Sequence, residues 1–315
     1  MKDIPGKTLS VVVPFLNEAG NLPLLYERVA GVMANRPEKL ELLLVDDGST
    51  DGSADWAREQ SRQDGRVRLL QLSRNYGHQI AITAGLDHAE GDAVVIMDAD
   101  LQDPPEVIPD LLAKWHEGFE VVSAVRRSRE GETWHKKFLA AVFYRLFRAL
   151  VKVDVPLNAG DFRLLDRQVV MAVRQMRETH RFLRAMTSWT GYRQTTVVYD
   201  RASRHSGETK YPIWNSARLA LDAITSFSAS PLRWIIGFGG LVSLIGMVYI
   251  LQIMWSHYFR PAQLLPGWAS IAALMLFLGG IQLICLGVIG QYISRIFEES
   301  KKRPLYFIKK DNAGA

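Results

Sequence analysis

Asp92-Ala-Val-Val-Ile-Met-Asp-Ala-Asp-Leu-Gln-Asp-Pro-Pro105 decides the fold of this chain. Its first half, Asp92–Asp98, is a β-branched apolar run short enough to be a strand buried on both faces. Its second half is polar and turn-forming, with Pro104 and Pro105 stiffening the exit. Three runs of the same kind precede it: Ser10–Pro14, Leu40–Asp46 and Val67–Ser73. Segments of helical character separate them, over about Asn21–Ala34, Ser53–Gln63 and His78–Ala89. Strands alternating with helices predict right-handed crossovers and a parallel sheet, an α/β architecture with helices on both faces. In such sheets ligands bind beyond the carboxyl ends of the strands. The polar clusters sit at those ends: Asn17 and Glu18 after the first strand, Asp46 and Asp47 at the second, Asp98–Asp103 after the fourth.

Composition alone conceals the other half of the chain. The 315 residues are 48% hydrophobic and 23% charged with a net charge of +5, values that exclude collagen-like and wholly disordered chains. Mean hydropathy is −0.01. One cysteine, Cys285, excludes a disulfide scaffold. The apolar residues, however, are concentrated. Trp234–Phe259 carries no Asp, Glu, Lys or Arg, and neither does Pro261–Ser294. A spanning helix needs about 20 mostly apolar residues, so residues 235–254 and 269–289 are expected to cross a membrane. Arg233 before the first span and Arg295, Lys301, Lys302, Arg303, Lys309 and Lys310 after the second place both ends on the cytosolic side.

The acidic motifs suggest chemistry. Asp98, Asp100, Gln102 and Asp103 supply carboxylate and amide oxygens, the hard ligands that suit Mg²⁺ or Mn²⁺. A polar strand end followed by an Asx turn explains the same residues without a metal. Val45-Asp-Asp-Gly-Ser-Thr-Asp-Gly-Ser53 offers a helix cap in Asp51 or Ser53. Capping leaves Asp46 and Asp47 over, and such acids can accept from ribose hydroxyls or a uracil N3–H. Neither G-x-x-x-x-G-K-[ST] nor a G-x-G-x-x-G after the first strand occurs, which argues against P-loop ATPases and NAD dehydrogenases. The seven histidines show no metal-ligand spacing, and His78 reads as a helix-start or loop residue.

Taken together, Val13-Pro-Phe-Leu-Asn-Glu18, Val45-Asp-Asp-Gly-Ser49, Ser73-Arg-Asn-Tyr-Gly77 and Asp98-Ala-Asp-Leu-Gln-Asp-Pro-Pro105 resemble family 2 glycosyltransferases of the GT-A fold. More narrowly, the chain is similar to polyprenyl-phosphate glycosyltransferases: bactoprenol glucosyltransferases, undecaprenyl-phosphate aminoarabinose transferases and dolichol-phosphate mannose synthases. Gly160-Asp-Phe-Arg-Leu164, Gly207-Glu-Thr-Lys-Tyr211, the paired spans and Arg303-Pro-x-Tyr-Phe307 extend the likeness over nearly the whole length. The resemblance implies that Pro14, Asn17, Glu18 and Asp46 line the nucleotide site, with Asp47 close by. It implies that Asp98 contacts the donor, that Asp100 and Gln102 hold the metal, and that Asp161 stands at the catalytic acid–base position. Here Gly160-Asp161 replaces the Glu-Asp of many relatives. A lipid phosphate has a second pKa of about 6 and needs no proton removed near neutral pH. Asp161 is therefore expected to position the acceptor or stabilise charge, with Asp98 and Asp100 completing the catalytic set.

The organisation expected from this is a cytosolic GT-A domain over residues 1–212, an interfacial helix over 213–231, two transmembrane helices within 232–294 and a basic tail over 295–315. Between Arg126 and Lys152, eight basic residues accompany Phe138, Val142, Phe143, Leu146, Phe147 and Leu150 at helical spacing, a pattern suited to an anionic lipid surface. Arg126, Arg127 and Arg129, with Arg204, Ser206 and Lys210, are candidates for the acceptor phosphate. Nucleic acid is not an expected partner, because the bases cluster beside apolar helices. The processive-synthase motif Gln-x-x-Arg-Trp is incomplete, with Ser230 in place of Gln before Arg233-Trp234, which favours one sugar per acceptor. The combined expectation is an inverting, metal-dependent transferase in a bacterial inner membrane, moving one sugar from a nucleotide-sugar to undecaprenyl phosphate. UDP-glucose leads as donor, ahead of other UDP-hexoses, aminoarabinose and GDP-mannose; a non-catalytic assembly protein is the rival, and a homo-tetramer is compatible with the resemblance.

Overall fold

The computed structural model describes residues 6–127, 159–200, 230–259 and 267–309. Arg129, Arg204, Ser206, Lys210, most of the basic stretch 126–152 and all but the last two residues of the expected interfacial helix 213–231 lie outside them. The chain divides into two compact units, Met1–Pro212 with Arg303–Ala315, and Ile213–Lys302.

In the first unit, β1 (Thr8–Phe15), β2 (Lys39–Asp46), β3 (Val67–Gln71) and β4 (Ala93–Ile96) form the parallel half of a seven-stranded sheet. The other half holds β5 (Val121–Arg126), β6 (Ala159–Asp166) and β7 (Gln194–Tyr199); β6 pairs antiparallel with both its neighbours, β5 and β7 pair in parallel, and the strand order is β3-β2-β1-β4-β6-β5-β7. Val11–Val13 and Val94–Val95 are fully buried because helices cover both faces, so these strands read as continuous apolar runs. The helices α1 (Leu22–Met33), α2 (Ser53–Gln63) and α3 (His78–His88) connect the parallel strands. A 3₁₀ turn, Pro105–Val107, leads into α4 (Ile108–His116), which buries Ile108, Leu111, Leu112 and Trp115 along one stripe. Short helices α5 (Arg167–Gln175) and α6 (Leu183–Trp189) follow β6, the first capped by Asp166 accepting from the Gln168 amide.

The mostly parallel α/β sheet agrees with the sequence reading. The insertion of β6 is what that reading lacked. β6 runs antiparallel between β4 and β5, with Ile96 opposite Arg163. Two residues beyond this last pair on each strand, Asp98 and Asp161 both lie 3.4 Å from His78 Nε2. A second close fit holds α3 on the sheet: a Cβ at Gly85 would come within 2.2 Å of Val12 Cγ1. Gly85→Ala is expected to cost about 1–3 kcal/mol by overpacking, read as a lowered denaturant midpoint with an unchanged m-value.

The second unit contains two long helices, α7 (Ser230–Phe259) and α8 (Trp268–Ser300). Within α8, Phe277–Ser300 is long and apolar enough to cross a membrane, and none of its apolar window is buried; Ile235–Tyr249 in α7 is a shorter apolar stretch. These two helices contain the segments expected to span. Beyond α8 the chain returns to the first unit, where Ile308 pairs antiparallel with Leu72 at the end of β3.

Candidate active site

At the carboxyl ends of β1, β2 and β4, a cleft of ≈ 700 Å³ is lined by Pro14, Phe15, Leu16, Glu18, Asp47, Asn75, Gly77, His78, Ala81, Asp98, Ala99, Asp100, Asp161 and Arg184. The location follows the rule for open α/β sheets. Pro14, Glu18, Asp47, Asp98, Asp100 and Asp161 were all expected from sequence, and the fold brings them to one cavity.

Asp161 sits at the centre of the charged groups. Arg184 donates Nε to its Oδ1 at 2.8 Å and Nη2 to its Oδ2 at 3.2 Å. Gln79 Nε2 donates to Oδ2 at 3.2 Å, and His78 Nε2 lies 3.4 Å from it. Burial pushes the Asp161 carboxyl upward, but the His78 hydrogen bond and the Arg184 and Arg163 charges outweigh it and hold the group well below the ordinary carboxylate range. Arg163, fully enclosed, donates to Thr187 Oγ1 at 2.7 Å and to the Gly160 carbonyl at 2.8 Å. Asp161 is therefore an ionised anchor between guanidinium groups.

Asp98 has the opposite environment. Burial, with the Asp161, Asp103 and Asp100 charges, outweighs the opposing His78 charge and pushes its carboxyl up to about 6. Its Oδ1 has no hydrogen-bond partner and faces His78 Nε2 at 3.4 Å. His78 begins α3, as its sequence position suggested, yet its ring stands between Asp98 and Asp161 and titrates above its usual value. Burial lowers the His78 pKa, and the Asp161 hydrogen bond with the two carboxylate charges more than reverses that effect.

The loops holding these groups are tied to one another. Asp47, almost fully buried, accepts from the Tyr76 amide at 2.7 Å and the Gly77 amide at 2.9 Å. Burial raises its pKa, and those two backbone bonds oppose the rise. Gly48 is required where β2 leaves the sheet: its φ is +85° and a Cβ would approach the Asn75 amide nitrogen to 2.8 Å. Asn17 adopts φ +58°, a conformation asparagine tolerates, and its Oδ1 accepts from the Thr50 amide at 2.9 Å. Glu18 keeps its place at the cleft with its amide donating to Ser53 Oγ at 2.9 Å.

Two expected nucleotide ligands are used differently. Asp46 is fully buried; its Oδ1 accepts from the Ser49 amide at 2.8 Å and its Oδ2 from Gln71 Nε2 at 3.0 Å. Asn17 clamps the β2–α2 loop. Neither lines the cleft, because both side chains close the turns that carry Glu18 and Asp47.

In the acidic segment, Asp100 Oδ1 accepts from the Gln102 amide at 3.1 Å, the Asx turn that the residues suggested, and Leu101 takes φ +60°. Asp100 reaches the cleft, whereas Gln102 is not among its lining residues. Asp103 is buried behind the cleft and accepts from Tyr199 Oη. No group of three or more His, Cys, Asp or Glu residues is arranged to cage a metal among the described residues. A Mg²⁺-type ion needs only one or two carboxylates with substrate phosphates, so cleft-facing Asp100 and the unbonded buried oxygen of Asp98 are a suitable donor set.

Of the acceptor-phosphate candidates, Arg126 lies 3.8 Å from Asp103 Oδ1 and donates to Tyr199 Oη at 3.3 Å. Arg127, largely exposed, pairs with Asp200 at 3.3 Å. Neither lines the cleft. Sequence reasoning missed Arg184 and Gln79 and gave His78 no chemical role. Arg184 belongs to no motif; His78 directly follows Ser73–Gly77, which was the only available signal.

Comparison with known proteins agrees with this geometry. Residues 10–174 match glycosyl transferase family 2, and residues 230–296 match the GtrB C-terminal hairpin. An uncharacterized glycosyltransferase, YkcC, of Bacillus subtilis (strain 168) is 46% identical over 96% of this chain and 93% of its own length. The prophage bactoprenol glucosyl transferase homolog of Escherichia coli (strain K12) is 39% identical, covering 96% of this chain and 98% of its own. The bactoprenol glucosyl transferase of Shigella phage SfV is likewise 39% identical, over 96% and 98%. Among solved structures, mannosyl-3-phosphoglycerate synthase from Rubrobacter xylanophilus superimposes with a TM-score of 0.50 at 19% identity, covering 72% of this chain and 74% of that one, and shares the fold. With its family signature lying on the strands and loops that build the cleft, this chain belongs to glycosyl transferase family 2, and its C-terminal region carries the GtrB-type hairpin.

Proposed function

We propose that the protein transfers one glucose from UDP-glucose to undecaprenyl phosphate with inversion, giving a lipid-linked monosaccharide for cell-envelope glycan modification. The observation that carries this reading is the cleft in which Asp98 and Asp100 stand with Asp161 and Arg184. The two bactoprenol glucosyl transferase relatives, similar over nearly their whole lengths, support the choice of sugar and acceptor. The apolar helix α8 and the hairpin match support membrane association; in this reading the chain crosses twice, over about 235–254 and 269–289, with the transferase unit and both termini cytosolic.

In the reaction, an oxygen of the lipid phosphate attacks the anomeric carbon as the bond from that carbon to the diphosphate breaks. The phosphate is largely a dianion near neutral pH and surrenders no proton. Asp100, with Asp98 beside it, would hold a Mg²⁺ or Mn²⁺ ion, which would neutralise the departing diphosphate, while the Gln102 amide braces the Asp100 carboxylate. Asp161 fixes Arg184 and His78, keeping two cationic or hydrogen-bonding groups facing the reacting phosphates. Asp47 and Glu18 face the nucleoside end of the cleft.

A panel of radiolabelled nucleotide-sugars, incubated with the purified protein, undecaprenyl phosphate and Mg²⁺ or Mn²⁺, tests this directly. Label from UDP-glucose is expected in the lipid extract. Labelled lipid from another donor alone would reassign the sugar, and none from any donor would overturn the reading.

A further inference from the structure

The C-terminal segment after α8 makes contacts that neither anchoring nor positive charge explains. The Ser73 amide donates to the Phe307 carbonyl at 2.8 Å, and the Lys309 amide donates to the Gln71 carbonyl at 2.8 Å. Between these bonds Ile308 bridges Leu72. The segment thus adds a short antiparallel piece to the end of β3, the edge strand of the sheet. Unpaired edge groups are natural templates for such strand addition. Tyr306 secures the segment from its other side, with Oη donating to Asp87 Oδ2 at 3.0 Å and its ring 6.1 Å from that of His88.

The strand end so covered leads straight into the cleft. Gln71, whose carbonyl accepts from Lys309, sends its side-chain amide to Asp46 Oδ2 at 3.0 Å. Ser73 starts the loop whose Tyr76 and Gly77 amides grip both oxygens of Asp47, and Ser73 Oγ lies 2.9 Å from Tyr76 Oη. Three consecutive β3-end residues thus touch the tail; one of them, Gln71, holds Asp46, and the loop that follows them holds Asp47.

We propose that residues 303–309 are a positioning latch for the donor site, holding the Ser73–Gly77 loop so that its amides fix the Asp47 carboxylate in the cleft. The proposal rests on the reading of that cleft as the nucleotide-sugar site. Because the latch acts on the donor side, its loss raises the donor KM and weakens nucleotide binding while turnover at saturation stays close to normal.

The test compares the full chain with one ending at Lys302, and with Lys309→Pro and Tyr306→Phe, which each remove one hydrogen bond. Calorimetric titration with UDP is expected to weaken about tenfold in the truncated chain, as loss of a hydrogen-bonded support would give. Donor KM should rise by a similar factor, with kcat and acceptor KM changed less than about twofold; the two point variants should show smaller shifts in the same direction. Hydrogen exchange at the Tyr76 and Gly77 amides gives a readout independent of any substrate, and exchange there is expected to quicken while that of the β1 amides does not. If the full chain binds no UDP and makes no product, the reading of the cleft fails, and exchange still decides the latch. Unchanged exchange at Tyr76 and Gly77 in the truncated chain, or in Lys309→Pro should the truncated chain not fold, overturns the proposal. UDP binding that is equal in all four proteins overturns it as well.

Discussion

Asp161→Asn is expected to lower kcat by about 10²–10³-fold, with a residual rate that stays flat from about pH 7 to pH 9. The reason lies in what the carboxylate holds. The amide cannot neutralise Arg184, which now donates to both Asp161 oxygens, nor hold His78, 3.4 Å away, in its charged form. Both groups would lose the geometry that directs them at the reacting phosphates. The direction of the Asp161 shift fixes the pH behaviour. A carboxylate held well below its ordinary range is ionised at every pH where the enzyme works, and it is too weak a base to take a proton. The nucleophile, with a second pKa of about 6, needs no such help above that value. Steady-state rates across this pH range check the expectation. A residual rate that climbs at alkaline pH would instead assign Asp161 a general-base role.

Replacement of Asp100 by Ala should have the larger effect, a loss of about 10³-fold or more in turnover. Asp100 combines two duties in one side chain. It faces the cleft, and its Oδ1 accepts from the Gln102 amide to close the turn in which Leu101 takes positive φ. Removing the carboxylate takes away a hard oxygen ligand and relaxes the turn that presents the segment. Divalent ion should strengthen UDP binding by the unaltered protein, and chelation should abolish its turnover. In Asp100→Ala the ion should no longer strengthen binding. Introducing Asp100→Ala into a deletion strain separates catalysis from assembly. Full complementation by this variant would favour a non-catalytic role and count against the proposed reaction.

The same residues show how far a sequence read alone reaches. The parallel strands were legible because burial on both faces imposes continuous apolar runs, as in Val11–Val13 and Val94–Val95. The loops after them were legible because Asp, Asn, Ser, Gly and Pro favour tight turns, and Gly48 shows the constraint directly. Arg184 was not legible. It lies 23 residues after Asp161 in a segment without a motif, and only packing of α6 beside the start of α3 brings it to the carboxylate. Asp46 was legible as a functional acid, but not as one spent inside the fold: the residue type does not reveal that Gln71 and Ser49 occupy its oxygens.

By itself, then, the sequence determined the α/β class, the positions of the acidic turns, the family likeness and the segregation of apolar residues toward the C-terminus. Each of these is a local property, written in periodicity, residue type or short spacing. The tertiary structure decided the rest. It alone brings Asp98 and Asp161 together at one end of the sheet, where β6 enters antiparallel beside β4. It alone places His78 between those two acids and returns Arg303–Lys309 to the end of β3. Such pairings join residues tens to hundreds of positions apart, and strand order and register, which no local pattern encodes, fix them.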